Sequence, residues 1–262
     1  MNSLKQWSLI TGASGGIGYE LATVFAKNGW NLVLVARSEE KLIELKNKLE
    51  SAFKIRVEII SIDLSQRTAP QKVFDSLQKK HISILALVNN AGFGVFGKFS
   101  ETSLDKEINM IDLNIVSLTI LTKLFLKEMI QNKKGYILNI ASTAAFQAGP
   151  LMAIYYATKA YVLLFSEAIS NELKGTGVTV TAYCPGATQT GFQAAANAEK
   201  SALFQQRKLP SAQEVAEDAY KALLKKKTVA IHGLVNWTLA NSVRFMPRKV
   251  ITSIVRKIQK QI

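Results

Sequence analysis

The chain has 262 residues, 48% of them apolar, which is enough for one sizeable core and too uniform for two, so one domain spanning 1–262 is expected. One cysteine excludes an internal disulfide, and His81 and His232 are too far apart in sequence to suggest a zinc cluster, so no metal is expected. The net charge of +14 is concentrated at one end: from Ala219 to Ile262 there are ten Lys or Arg and no Asp or Glu, which leaves 23 basic and 19 acidic residues in a nearly balanced body.

Residues 1–6 carry no hydrophobic leader core, and no uninterrupted apolar run reaches the length of a membrane span, so a cytoplasmic protein is expected. The first strand, Trp7–Ile10, runs into Thr11-Gly12-Ala13-Ser14-Gly15-Gly16-Ile17-Gly18 and a helix opening near Gly16. Glycines at a strand-to-helix turn let backbone N–H groups approach a pyrophosphate at the positive end of the helix. The spacing departs from the general G-x-G-x-x-G pattern, because Leu21 stands at the third glycine. A second strand, Leu32–Ala36, ends in Arg37 and Ser38. An acid there would hold the ribose hydroxyls of NAD; Ala36 cannot, whereas Arg37 can fork around a 2′-phosphate, so NADP(H) is the expected cofactor. Ser38 is the expected N-cap of the helix from Glu39.

Further strands are expected at Val57–Ser61, Ile84–Val88, Gly135–Ile140, Val178–Tyr183 and Thr228–Ile231, with helices opening near Thr68, Leu104, Tyr155 and Ala212. Seven short strands alternating with helices predict an α/β, doubly wound, Rossmann-type parallel sheet. Tyr155 and Lys159 are four apart, so on a helix they share one face. An ammonium and an oxidised nicotinamide beside a phenol favour the phenolate, which predicts a lowered tyrosine pKa suited to proton transfer. Tyr156 is a second phenol, but only Tyr155 has a lysine one turn on.

Taken together, the T-G-x-x-x-G-x-G loop, Asp63-Leu64, Asn89-Asn90-Ala91-Gly92, Asn114, Ser142, Tyr155-x-x-x-Lys159 and Pro185-Gly186, in that order, resemble the short-chain dehydrogenase/reductase family. The resemblance covers Trp7 to about His232 and implies an oxidoreductase that moves a hydride between a nicotinamide and a carbonyl or secondary alcohol. It implies catalytic roles for Tyr155 as proton donor, Lys159 on the nicotinamide ribose, Ser142 on the substrate oxygen and Asn114 on a water leading to Lys159. It further implies cofactor contacts from Gly12, Ser14, Gly15, Gly16, Ile17 and Gly18, from Arg37, from Asp63 and Leu64 at the adenine, from Asn90, Ala91 and Gly92 at the ribose, and from Pro185, Gly186, Thr188 and Thr190. For Asp63 the capping of the next helix is an equal reading, and a turn that stabilises the sheet is compatible with Asn90.

Phe93, Val95, Phe96, Ala144, Phe146, Met152, Tyr156 and Phe192 suggest an apolar pocket for a hydrophobic small molecule, with 187–212 as a lid. Residues 234–262 form a basic helical segment in which Val250, Ile251, Ile254, Val255, Ile258 and Ile262 share one arc. Two readings compete for that stripe. It packs on the domain or on a second subunit of a homodimer or homotetramer, or it lies on an anionic membrane; nucleic acid is the least favoured partner. A nucleotide-binding scaffold without turnover is the rival to an enzyme.

Overall fold

The computed structural model describes residues 6–196 and 209–259. Seven strands form one parallel sheet: β1 (Trp7–Thr11), β2 (Asn31–Ala36), β3 (Val57–Ser61), β4 (Ile84–Asn89), β5 (Gly135–Ile140), β6 (Val178–Cys184) and β7 (Val229–Ile231), in the order 3-2-1-4-5-6-7. Every pairing is parallel, so each connection crosses back over the sheet and both faces become covered. β2 shows the consequence in its composition, being buried at every residue.

Alternate side chains feed two apolar layers. Leu32 and Leu34 point with Ile10 and Val88 toward α1 (Gly16–Lys27), α2 (Glu39–Phe53) and, from the far end of the chain, a helix at Ala212–Leu224. Val33 and Val35 point with Leu9 and Leu87 toward α3 (Ala69–Lys79) and toward the helical run that follows β4. That run comprises α4 (Leu104–Ile111), a π-helical turn (Asp112–Ser117) and α5 (Leu118–Gln131). Next in order come a 3₁₀ turn (Thr143–Phe146), α6 (Ala153–Glu172), a short α7 (Phe192–Ala195), α8 (Ala212–Leu224), α9 (Leu234–Ser242) and α10 (Arg248–Gln259).

The seven-stranded doubly wound single domain is as expected, with strand limits displaced by a residue at most. Ser38 is the N-cap residue of α2 as expected, though its side chain makes no capping bond. The 28-residue run Leu104–Gln131 contains an 18-residue window with a mean hydropathy of 1.4, long and apolar enough to cross a membrane by length and composition alone. A count of uninterrupted apolar residues misses it, since lysines interrupt the helix; Leu121, Phe125 and Met129 lie in the core against the sheet. The proposed lid extends through 197–208, which lies outside the described residues.

Candidate active site

The strands' carboxyl ends carry most of the sequence-predicted residues to one edge, the usual place for a ligand in an open parallel sheet. At the end of β1 the Thr11 hydroxyl donates to the Val88 carbonyl (3.2 Å) and accepts from the N–H groups of Asn90 and Ala91, both at 3.0 Å. The Asn90 amide donates back to the carbonyls of Thr11 (2.9 Å) and Gly12 (3.3 Å). These bonds staple the glycine loop to the end of β4. They also explain two of its glycines: a Cβ on Gly12, at φ +68°, would stand 2.8 Å from the Asn90 amide nitrogen, and one on Gly18 would stand 2.2 Å from the Gly12 carbonyl oxygen. Thr11 opens the T-G-x-x-x-G-x-G loop, but no role of its own was expected for it, because its partners appear only once β4 is placed beside it.

The first turn of α1 has neither a side-chain cap nor an acidic residue, and Gly15 leaves open space above it. The loop therefore offers N–H donors at a helix N-terminus, the chemistry that a pyrophosphate requires. Ser14 shares a cleft with Tyr19 of α1 and with Lys41, Glu44, Leu45 and Lys48 of α2. Exposed Arg37 follows β2 and makes no ion pair among the described residues. A dinucleotide fits these residues.

After β3, one Asp63 oxygen accepts from the Ser65 N–H (3.0 Å) and hydroxyl (2.9 Å), so its carboxylate closes its own turn; Leu64 beside it is buried. After β6, Pro185 accepts a bond from the Thr143 N–H (2.9 Å), and Thr188 donates to the Gly186 carbonyl (3.0 Å). Thr190 abuts the glycine loop, its Cβ lying 3.3 Å from where a Gly16 Cβ would be.

The reacting groups stand on α6 and on the turn after β5. Ser142 caps the 3₁₀ turn, accepting from the Ala144 N–H at 3.1 Å, and it lies close enough to Tyr155 to pull the phenol pKa down. The expected helical spacing brings the Lys159 Nζ within 5.8 Å of the Tyr155 ring centre. Lys159 is buried, donates to the Ile140 carbonyl (2.7 Å), and is lowered by that burial to about 8, an effect the Cys184 thiol group partly offsets. Without a cofactor the direction for Tyr155 is the opposite of the one expected with an oxidised nicotinamide: burial raises its pKa above the ordinary phenol value, with Ser142 pulling it back. The Lys159 ammonium gives its hydrogen bond to the Ile140 carbonyl instead.

Asn114 lies in the π turn and is almost fully buried. Its amide donates to the Phe93 carbonyl (3.0 Å) and the Thr158 hydroxyl (3.0 Å), while its oxygen accepts from the Phe93 N–H (3.2 Å). A widened turn at a functional position is a recurrent use of π geometry. Asn114 and Lys159 bracket Gly92: a Cβ there would meet the Asn114 oxygen at 2.9 Å and the Lys159 Nζ at 3.7 Å.

Beside Tyr155 lies an apolar cluster of Phe96, Ala144, Met152, Tyr156 and Phe192, as foreseen, joined by Ile251 and Val255 of α10. The Phe192 ring centre is 5.3 Å from that of Tyr155. Gly94, missed in the sequence, lets Phe192, Met152 and Tyr155 crowd together, since its Cβ would approach all three within 3.3 Å. Phe146 is corrected: it packs beneath α6 with Ala145, Val162 and Cys184 instead. Tyr156 points elsewhere, its hydroxyl accepting from Gln259 of α10. This leaves Tyr155 as the phenol that meets Ser142 and Lys159.

A glycine loop, a parallel sheet and a Ser-Tyr-Lys group at its carboxyl edge define a dinucleotide-dependent oxidoreductase of Rossmann type. The short chain dehydrogenase family profile matches residues 6–201, and the chain belongs to that family, whose reaction interconverts CH–OH and C=O groups. It is 32% identical to the mouse very-long-chain 3-oxoacyl-CoA reductase over 98% of this chain and 82% of that protein. It is 34% identical to mouse 17-beta-hydroxysteroid dehydrogenase type 3 over 72% of this chain and 62% of that protein. The zebrafish very-long-chain 3-oxoacyl-CoA reductase-B is matched over 60% of its own length, at 35% identity and over 70% of this chain. Among solved structures, a short-chain dehydrogenase from Sphingobium yanoikuyae in complex with NADPH superposes with a TM-score of 0.82 at 31% identity, over 97% of this chain and 98% of that one.

Proposed function

We propose that the protein is an NADP(H)-dependent carbonyl reductase or alcohol dehydrogenase acting on a hydrophobic substrate. The observation that carries this reading is the buried Lys159 with its Nζ 5.8 Å from the Tyr155 ring centre, on the same carboxyl edge of the sheet as Ser142 and next to a glycine loop built for a pyrophosphate. When bound, the dinucleotide supplies or accepts the hydride. The loop from Gly12 to Gly18 would hold its phosphates, and Arg37, which makes no ion pair among the described residues, would receive the 2′-phosphate.

In the reducing direction Ser142 fixes the substrate oxygen and Tyr155 delivers the proton that this oxygen takes up as the carbonyl carbon is reduced. Burial keeps the phenol protonated until that moment. The Lys159 ammonium stabilises the phenolate left behind, and Asn114, which together with Lys159 lines the space at Gly92, positions the path by which the proton is replaced. The cluster of Phe96, Met152, Phe192, Ile251 and Val255 favours a large apolar carbonyl. The very-long-chain 3-oxoacyl-CoA and hydroxysteroid relatives point the same way. Exposed Leu104 and Ile108 on α4 and Leu164 on neighbouring α6 support a homodimer or homotetramer through that face.

Tyr155→Phe tests the chemistry. Turnover of an apolar ketone, followed by NADPH absorbance, is expected to fall at least about a hundredfold while NADPH binding by fluorescence titration stays within about twofold. Retained turnover refutes the assignment. In the unaltered enzyme kcat/KM is expected to be at least about tenfold higher with NADPH than with NADH, and equal efficiencies remove the role given to Arg37.

A further inference from the structure

Sixteen large apolar side chains are exposed among the described residues, and nine of them fall between Leu234 and Ile258. Phe245, on the turn before α10, is the extreme at 88% exposure. This stretch belongs to the part of the chain that has ten basic residues and no acidic one.

α10 resolves the two readings of its stripe by dividing it. Ile251, Val255 and Gln259 face the domain and are buried, with Gln259 on the Tyr156 hydroxyl. Val250, Ile254 and Ile258, each one position earlier, stay exposed. One position earlier again stand Lys249, Ser253 and Lys257, and Lys249, Val250, Ser253, Ile254 and Lys257 line one shallow depression. Successive positions turn by about 100° on a helix, so an anchoring row, an apolar row and a basic row follow one another around α10.

We propose that this face seats the protein on an anionic lipid bilayer, with α10 parallel to the surface and Phe245 inserted. The exposed isoleucines enter the acyl boundary while Lys249 and Lys257 reach lipid phosphates along their own stems. An isologous contact between two copies would oppose like charges, since Lys249 and Lys257 recur on both sides without an acid to meet them. A nucleic-acid backbone would use the lysines and leave Phe245 and Ile254 in water. The proposal goes beyond the reaction and does not depend on it.

Flotation of the full-length protein tests it without any substrate. Vesicles of phosphatidylcholine alone are compared with an equal mixture of phosphatidylcholine and phosphatidylglycerol at low salt. The protein is expected to float with the mixture, much less with the neutral vesicles, and to be released as salt rises. Phe245→Asp with Ile254→Asp is expected to weaken binding at least about tenfold with an unchanged melting temperature; Lys249→Glu with Lys257→Glu, which spares every apolar contact, is expected to do the same. No flotation with the anionic mixture overturns the proposal, as does undiminished flotation of both variants. An oligomer that the aspartate pair dissociates in analytical ultracentrifugation would assign the face to a second copy and overturn it as well.

Discussion

Lys159 is buried beneath Tyr155 with its ammonium on the Ile140 carbonyl, and it titrates near 8 instead of the ordinary lysine value of 10.5. Because the folded value is the lower one, the unfolded chain binds more protons between those two limits, and stability must rise with pH across that window. Below about pH 8 the cost of holding the buried charge is fully present; above 10.5 it is absent. Lys159→Met has no such group to titrate. The stability of the variant relative to the parent, from urea unfolding, is expected to decline by on the order of 2 kcal/mol between pH 7 and pH 9.5. A constant difference would show that the lysine is not desolvated. The spacing of Tyr155 and Lys159 was legible in the sequence, since four residues on a helix always define one face. The sign of the tyrosine shift was not, because it depends on how much of β5, α7 and the turn at Ser142 closes around the phenol.

Two helix starts show how far local pattern reaches. Ser38 and Ser211 both precede helices with acids in the first turn, yet only Ser211 caps: its hydroxyl accepts from the Glu214 N–H, and Glu214 returns a bond to the Ser211 N–H at 2.8 Å. Ser211→Ala is expected to cost about 1 kcal/mol in urea unfolding, and Ser38→Ala less than about 0.5 kcal/mol. Equal costs would contradict the difference in geometry. The long helix after β4 teaches a related lesson. Its existence was readable from apolar periodicity, whereas the π turn at Asp112–Ser117 was not. That turn exists where Asn114 reaches the backbone of Phe93 and the hydroxyl of Thr158, partners that lie 21 and 44 residues away.

At the scale of the whole molecule, the sheet is held from both faces, and α8 ties the C-terminal half to the start of the chain. Phe25 of α1 is fully buried with its ring 4.8 Å from that of Tyr220 on α8 and 5.4 Å from Trp30, whose indole donates to the Tyr220 hydroxyl at 3.1 Å. Phe25→Ala leaves a cavity at that junction and is expected to cost about 3–5 kcal/mol, lowering the melting midpoint by roughly 2–4 °C per kcal/mol in a chain of this size. A loss below about 1 kcal/mol would mean that α8 does not close this layer.

The amino-acid sequence by itself determined the sheet, the glycine loop and the order of the site residues along the chain. Those features rest on periodicity and on local backbone freedom, both properties of neighbours in sequence. Only the tertiary structure decided that Thr11 and Asn90 clamp the loop and that Ile251 and Val255 pack into the apolar cluster beside Tyr155 while Ile254 stays exposed. Each of these depends on which distant segment arrives at a given side chain, and contacts between distant segments are settled by packing, which no local pattern encodes.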